Sequence, residues 1–268
     1  MNPINTFANK VGAFSGILFA IALLASCTTM PVQLPPGVSP VQATWLYGRY
    51  TIPAYATGSM VSKTFQQTPG EPPWTQLAAK ALKPNTSLPV VLYLHGCRGW
   101  SNQDAIYRDL LIAEGYAVFM PDSFQRPGRA ACREQGPLRH RVKLRTEEVA
   151  YALNEIRHLT WVDQKRVLLM GFSEGGNTVD SWSMPGFAAQ IIMGSACTLV
   201  DGIPAAPASV AVLAIVGQND DYRPGQSCWV ERTNGGSRSI VIPGGPHKVA
   251  DYPQTREAIR TFLHQCCS

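Results

Sequence analysis

Five nearly continuous apolar runs constrain this chain most: Val90-Val91-Leu92-Tyr93-Leu94, Ala117-Val118-Phe119-Met120, Val167-Leu168-Leu169-Met170, Gln190-Ile191-Ile192-Met193 and Val210-Ala211-Val212-Leu213-Ala214-Ile215-Val216. A strand covered on one face alternates apolar and polar residues; runs of this kind suit parallel strands covered on both faces. Helical stretches lie between them, at Gln103 to Glu114, at Thr146 to Leu159 and from Glu174 onward. In the second, Val149, Ala152, Leu153 and Ile156 form one apolar stripe at helical spacing. Strand and helix alternate, which predicts an α/β fold with a mostly parallel central sheet and helices on both faces. Ser239 to Ile242 predicts a last strand and Gln254 to Leu263 a closing helix, with Ala258, Ile259, Phe262 and Leu263 inward. Ahead of this pattern, Thr44 to Pro53 and Met60 to Phe65 read as short edge strands, and Pro72 to Lys83 as a short helix opened by its prolines.

The chemistry is concentrated in Gly171-Phe172-Ser173-Glu174-Gly175-Gly176, directly after the run ending at Met170. A strand feeding a tight turn and then a helix is the context in which G-x-S-x-G becomes a nucleophile elbow. The glycines leave room for a serine held in a strained conformation. Ser173 is then the candidate nucleophile.

A serine hydroxyl needs a general base, and the base needs a group that fixes its tautomer and stabilises its cation. In the α/β-hydrolase order both follow the serine, the acid first. Of five histidines only His247 and His264 come after Ser173. His264 ends an amphipathic helix and reads as a surface residue, whereas His247 lies in the loop Pro243-Gly244-Gly245-Pro246-His247 after the last strand. The acid candidates are Asp180, Asp201, Asp220, Asp221 and Glu231. Asp220 and Asp221 come just after the strongest apolar strand, and the spacing from Gly217 resembles the G-x-x-D turn common in the α/β-hydrolase superfamily, which implies Asp220, with Asp221 as runner-up.

Negative charge developing on a carbonyl oxygen needs two backbone donors, one following the nucleophile and one from the loop after an earlier strand. Glu174 would supply the first, and His95-Gly96-Cys97-Arg98-Gly99 resembles the H-G oxyanion loop of α/β-hydrolases, which implies Cys97 for the second. His95 reads as a structural side chain that holds this loop.

From about Leu88 to Phe262 the chain resembles the dienelactone hydrolase family of the α/β-hydrolase superfamily. The residues that carry the resemblance are Leu94 to Cys97, Pro121-Asp122-Ser123-Phe124, Trp161-Val162-Asp163, Gly171 to Gly176, Gly217 to Pro224 with Cys228, and His247. The serine stands where the dienelactone hydrolase itself has cysteine, so a general carboxylic-ester hydrolase is the safer expectation. The resemblance also implies disulfides Cys97–Cys132 and Cys197–Cys228. Cys266 and Cys267 are left over: as neighbours they would form a strained ring, which leaves free thiols or an intermolecular bond. Arg98, Arg126, Arg129 and Arg223, in predicted loops on the catalytic side, could hold a substrate carboxylate. Tyr222, Trp229 and Phe124 could wall the site.

The N-terminus reads as a secretory signal, with Lys10 before the apolar run Val11 to Leu24. That run is shorter than the ~20 residues a spanning helix needs. Leu24-Ala25-Ser26-Cys27 resembles the lipobox of bacterial lipoproteins, which implies Cys27 as the lipidated N-terminus, and the same resemblance, with Thr28 rather than an aspartate after the cysteine, implies the outer membrane facing the periplasm. The expected organisation is a signal over 1–26, a proline-rich linker over 27–43 and one domain over 44–268. The formal charge of +5 comes from scattered basic residues, which argues against nucleic acid as a partner. Among the seven cysteines there is no C-x-x-C pair and the histidines are not clustered, so no zinc site is expected. No metal or organic cofactor is required by the chemistry. The partners expected are a small-molecule ester, anionic if the arginines bind it, and a membrane reached through the lipid anchor. The same triad would also serve an amidase or peptidase, with recognition elements between Tyr47 and Lys83. A noncatalytic envelope-binding lipoprotein is the rival from another class.

Overall fold

The computed structural model describes residues 33–68, 70–132, 136–222, 225–230 and 232–267. The signal, Cys27, Arg223 and Glu231 lie outside them. The elements are α1 (Pro40–Leu46), β1 (Arg49–Ile52), α2 (Ala54–Thr57), β2 (Lys63–Phe65), α3 (Trp74–Ala81), β3 (Leu88–Leu94), α4 (Asn102–Ala113), β4 (Ala117–Met120), α5 (Leu138–Arg157), β5 (Val162–Phe172), α6 (Glu174–Asp180), β6 (Ala189–Met193), β7 (Ala211–Gly217), β8 (Arg238–Ile242) and α7 (Pro253–Cys267).

One eight-stranded sheet runs β2-β1-β4-β3-β5-β6-β7-β8. β1 pairs antiparallel with β2 and β4, and the remaining pairings are parallel. The apolar runs are covered on both faces. In β3, Val90, Leu92 and Leu94 enter one core with Val149, Leu153 and Ile156 of α5, while Val91 and Tyr93 enter a second with Leu111 of α4 and Phe262 of α7. Side chains therefore alternate between two apolar layers, which removes the polar half of the usual strand pattern. From β3 the chain first adds β4 on one side and then β5 on the other. That reversal opens a crevice at the carboxyl ends of β3 and β5, the usual ligand site of an open α/β sheet.

The N-terminal edge departs from expectation. Residues 40 to 46 are helical, although the sequence reads as linker and then strand. Ser39 caps the helix and accepts from the Gln42 N–H, Gln42 reaches back to the Ser39 N–H, and Pro40 occupies the first turn. This capping box with proline at N1 outweighs the prolines upstream. The stretch from Tyr47 to Lys83, considered above as a place for recognition elements, also contributes to the core: Tyr50 and Trp74 cluster with Trp45 and Phe119.

Cys97–Cys132 and Cys197–Cys228 are disulfides, as the resemblance implies. Cys266 and Cys267 are joined to each other, contrary to the expectation of free or intermolecular sulfurs. Their Cα atoms are 3.7 Å apart, the distance any two sequence neighbours keep. Among the described residues no helix is long and apolar enough to cross a membrane.

Candidate active site

Ser173 stands between β5 and α6 with φ 56° and ψ −112°. A positive φ is costly for a residue with a Cβ, and close packing holds it here. A Cβ on Gly171 would come within 2.4 Å of the Gly175 carbonyl oxygen, and one on Gly175 within 2.1 Å of the Leu94 oxygen. Only hydrogen at both positions lets the elbow close on β3. The Ser173 N–H donates to the Met193 carbonyl, and both the N–H and side-chain amide of Asn177 donate to the Ser173 carbonyl.

Three side chains from three loops meet at this point. Ser173 Oγ lies 2.9 Å from His247 Nε2, and His247 Nδ1 lies 2.6 Å from Asp220 Oδ2. Asp220 is buried, and its Oδ1 accepts from the Tyr222 N–H. Asp221 is exposed beside it. The loops carrying the acid and the histidine are fastened by their backbones: the Gln218 N–H donates to the Ile242 carbonyl and the Asn219 N–H to Gly245. The rings of Phe172 and Tyr222 flank the imidazole at 4.8 and 4.6 Å. His264 is on the surface against Glu114. This arrangement can move a proton from a serine hydroxyl to an imidazole whose cation faces a buried carboxylate.

The cavity beside Ser173 holds about 710 Å³ and includes Cys97, Arg98, Arg141, Glu174, Tyr222 and His247 in its wall. Arg98 and Tyr222 are thus where a substrate could meet them. Arg126 and Arg129 are not. Arg126 donates to the Leu144 carbonyl and pairs with Glu147 and Glu148 on α5, and Arg129 is buried against Glu174. Both guanidinium groups are drawn off by carboxylates. Trp229 is exposed away from this wall, and Phe124 stacks on His95.

His95 is fully buried; its Nε2 accepts the Ser123 N–H and its Nδ1 faces the Gly96 carbonyl at 2.7 Å. Burial, reinforced by Arg145, pushes its pKa well below the ordinary histidine value, so the neutral ring fixes the loop. The sequence does not reveal the charged group beneath: Glu174 takes Arg129 on one oxygen and Arg141 on the other, with Arg145 3.8 Å away. Arg145 also pairs with Glu148 at 3.1 Å, and Ser123 Oγ donates to Glu148. Burial raises the Glu148 pKa against the pull of Arg145. Asp180, Cys197 and Cys228 bring possible metal-ligand atoms within 4.8 Å of one another, but both sulfurs are committed to a disulfide.

The sheet and helices define an α/β-hydrolase fold, and the solved structure of Est1E shares it. Est1E from Butyrivibrio proteoclasticus is 14% identical with TM-score 0.52, covering 69% of this chain and 91% of its own. XC6422 from Xanthomonas campestris, described as an α/β serine hydrolase without lid, is 14% identical with TM-score 0.49 over 68% of this chain and 85% of its own. No curated protein matches. The family model of the dienelactone hydrolase family matches residues 77–234, and the chain belongs to that family. The match includes Ser173 and Asp220 and ends before His247.

Proposed function

We propose that this protein is a carboxylic-ester hydrolase that works through an acyl-enzyme on Ser173. The observation that carries this reading is the unbroken line from Ser173 Oγ through His247 to Asp220, 2.9 and 2.6 Å long, with the serine at positive φ on a glycine-flanked turn. Ser173 Oγ attacks the ester carbonyl carbon as His247 Nε2 takes its proton. The carbonyl oxygen gains negative charge, which the N–H groups of Cys97 and Glu174 stabilise. The C–O bond to the alcohol breaks, and His247 returns the proton to the leaving oxygen. Water then repeats the sequence on the acyl-enzyme and restores Ser173. Asp220 keeps the imidazole in the tautomer that presents Nε2 to the serine.

Arg98 and Tyr222 in the cavity wall are the residues proposed to meet the substrate. The sequence supports a location on the outer membrane facing the periplasm: the hydrolase domain from residue 44 onward would be tethered through the 27–43 segment to lipidated Cys27.

Purified mature protein and its Ser173→Ala form, treated with a fluorophosphonate probe and assayed on short-chain p-nitrophenyl esters, test this directly. Labelling and turnover should both vanish in the variant. A folded wild type with its disulfides intact that takes no label would instead favour a binding lipoprotein built on a hydrolase fold.

A further inference from the structure

The two backbone groups assigned to the oxyanion belong to segments far apart in sequence, the loop after β3 and the first residue of α6. A chain of contacts links them. Cys97 is bonded through sulfur to Cys132, whose N–H also donates to the Cys97 carbonyl at 3.1 Å. The Cys132 carbonyl accepts from Arg141 Nη1 at 2.6 Å. The same guanidinium places Nε 2.9 Å from Glu174 Oε2. Arg129, from the segment that carries Cys132, pairs with the other oxygen of that carboxylate.

Arg141 is in the first turns of α5, its side chain 12% exposed. The guanidinium donates from Nη1 to the Cys132 carbonyl and pairs through its charge with the Glu174 carboxylate, two partners on different nitrogens of one rigid plane, which a single ammonium cannot match. The disulfide fixes one end of the link to the Cys97 loop. The buried Glu174 side chain fixes the other to the residue that follows the nucleophile.

We propose that Arg141 is a positioning residue for ester hydrolysis: by joining the Cys97–Cys132 disulfide to the Glu174 carboxylate it sets the separation of the two oxyanion donors. The inference rests on the Ser173 reading given above. It separates the roles of the two arginines in the cavity wall, because Arg98 is exposed there whereas Arg141 is committed to protein partners. Oxyanion donors act only on charge that develops in the transition state, so misplacing them lowers kcat more than it raises KM.

A double-mutant cycle on a short-chain p-nitrophenyl ester tests this, using Arg141→Met, the pair Cys97→Ser/Cys132→Ser, and all three changes together. Thermal melting would establish that each is folded. Arg141→Met should lose about 10- to 100-fold in kcat with KM within about threefold. The serine pair should lose a similar amount. The combined variant should be no more than about threefold worse than its weaker parent, since both changes cut one link. Arg141→Lys should recover only part of kcat, and it takes the place of Arg141→Met in the cycle if that variant does not fold.

Multiplicative losses would overturn the proposal. So would a raised KM at constant kcat, which would make Arg141 a substrate contact. Turnover that depends on Ser173 but is unmoved by Arg141 variants sinks this inference alone. Wild-type turnover that survives Ser173→Ala sinks the nucleophile assignment and this inference with it.

Discussion

The N-terminal edge of the sheet and the crevice above its carboxyl ends are held together by different forces. At the edge, Trp45, Tyr50, Trp74 and Phe119 pack as a cluster of rings, with Tyr50 stacked on Trp74 at 3.5 Å. Above the crevice the loops are fastened by two disulfides, by the backbone bonds between the Asp220 and His247 loops, and by the ion pairs around Glu174. Apolar packing is non-directional and roughly proportional to buried area, so it stabilises without fixing angles. Hydrogen bonds and covalent links are directional. A site that must aim a serine, an imidazole and two N–H groups at one carbonyl uses the second kind. Disturbing the edge should therefore cost stability, and disturbing the crevice should cost rate.

The sharpest separation should come from Asp220→Asn. The amide keeps an acceptor for the Tyr222 N–H but turns an N–H toward His247, which stabilises the wrong imidazole tautomer. A fall in kcat of roughly 10⁴-fold is expected, about 5 kcal/mol of transition-state stabilisation, with little change in the melting temperature. Steady-state kinetics beside a melting curve measure both. A variant that unfolds readily but, once folded, turns over normally would break the distinction between edge and crevice.

Trp74→Ala probes the other side. Removing a fully buried indole from the ring cluster should cost about 3–5 kcal/mol in urea unfolding. At temperatures where the variant is folded, kcat and KM should remain within about twofold of wild type. A large kcat loss in the folded variant would mean that the edge transmits strain to the elbow.

The same contrast explains what could be read from the sequence. The central strands were legible because runs such as Val210 to Val216 have no polar face, and the elbow because Gly171 and Gly175 stand where a Cβ would strike backbone. His247 and Asp220 followed from chain order and loop position. The capping box at Ser39 was also present in the sequence and was obscured by the prolines around it. The charged group was not legible. Helix α5 begins at Leu138, well before the expected Thr146; the inward positions of these earlier turns are Val142 and the charged Arg145, which do not read as an apolar stripe. Nothing in the spacing of Arg129, Arg141 and Arg145 distinguishes buried guanidinium groups from solvated ones. Only the packing of α5 against α6, which brings Glu174 among them, makes that distinction.

Asp180 tests whether a polar group near the crevice can act on stability instead. It is buried at the end of α6, accepts from Ser195 Oγ at 2.5 Å and Ser181 Oγ at 2.9 Å, and burial raises its pKa from 3.8 to about 6 against the pull of those bonds. A raised acid pKa in the folded state means that the unfolded chain ionises first. Below pH 3.8 both states are protonated and the shift has no effect; between 3.8 and 6 stability falls as pH rises; above 6 the whole penalty, about 3 kcal/mol, is in force. Asp180→Asn removes the titration but also weakens the hydrogen bonds to Ser195 and Ser181, a loss of about 1 kcal/mol at every pH. The variant should therefore be the less stable protein at pH 3.5 and the more stable one at pH 7.5, with the crossover between. Urea unfolding of both proteins at matched pH values gives the difference, in which the groups unaffected by the substitution cancel. A difference that does not change with pH would show that Asp180 titrates alike in the folded and unfolded states, so that burial does not raise its pKa.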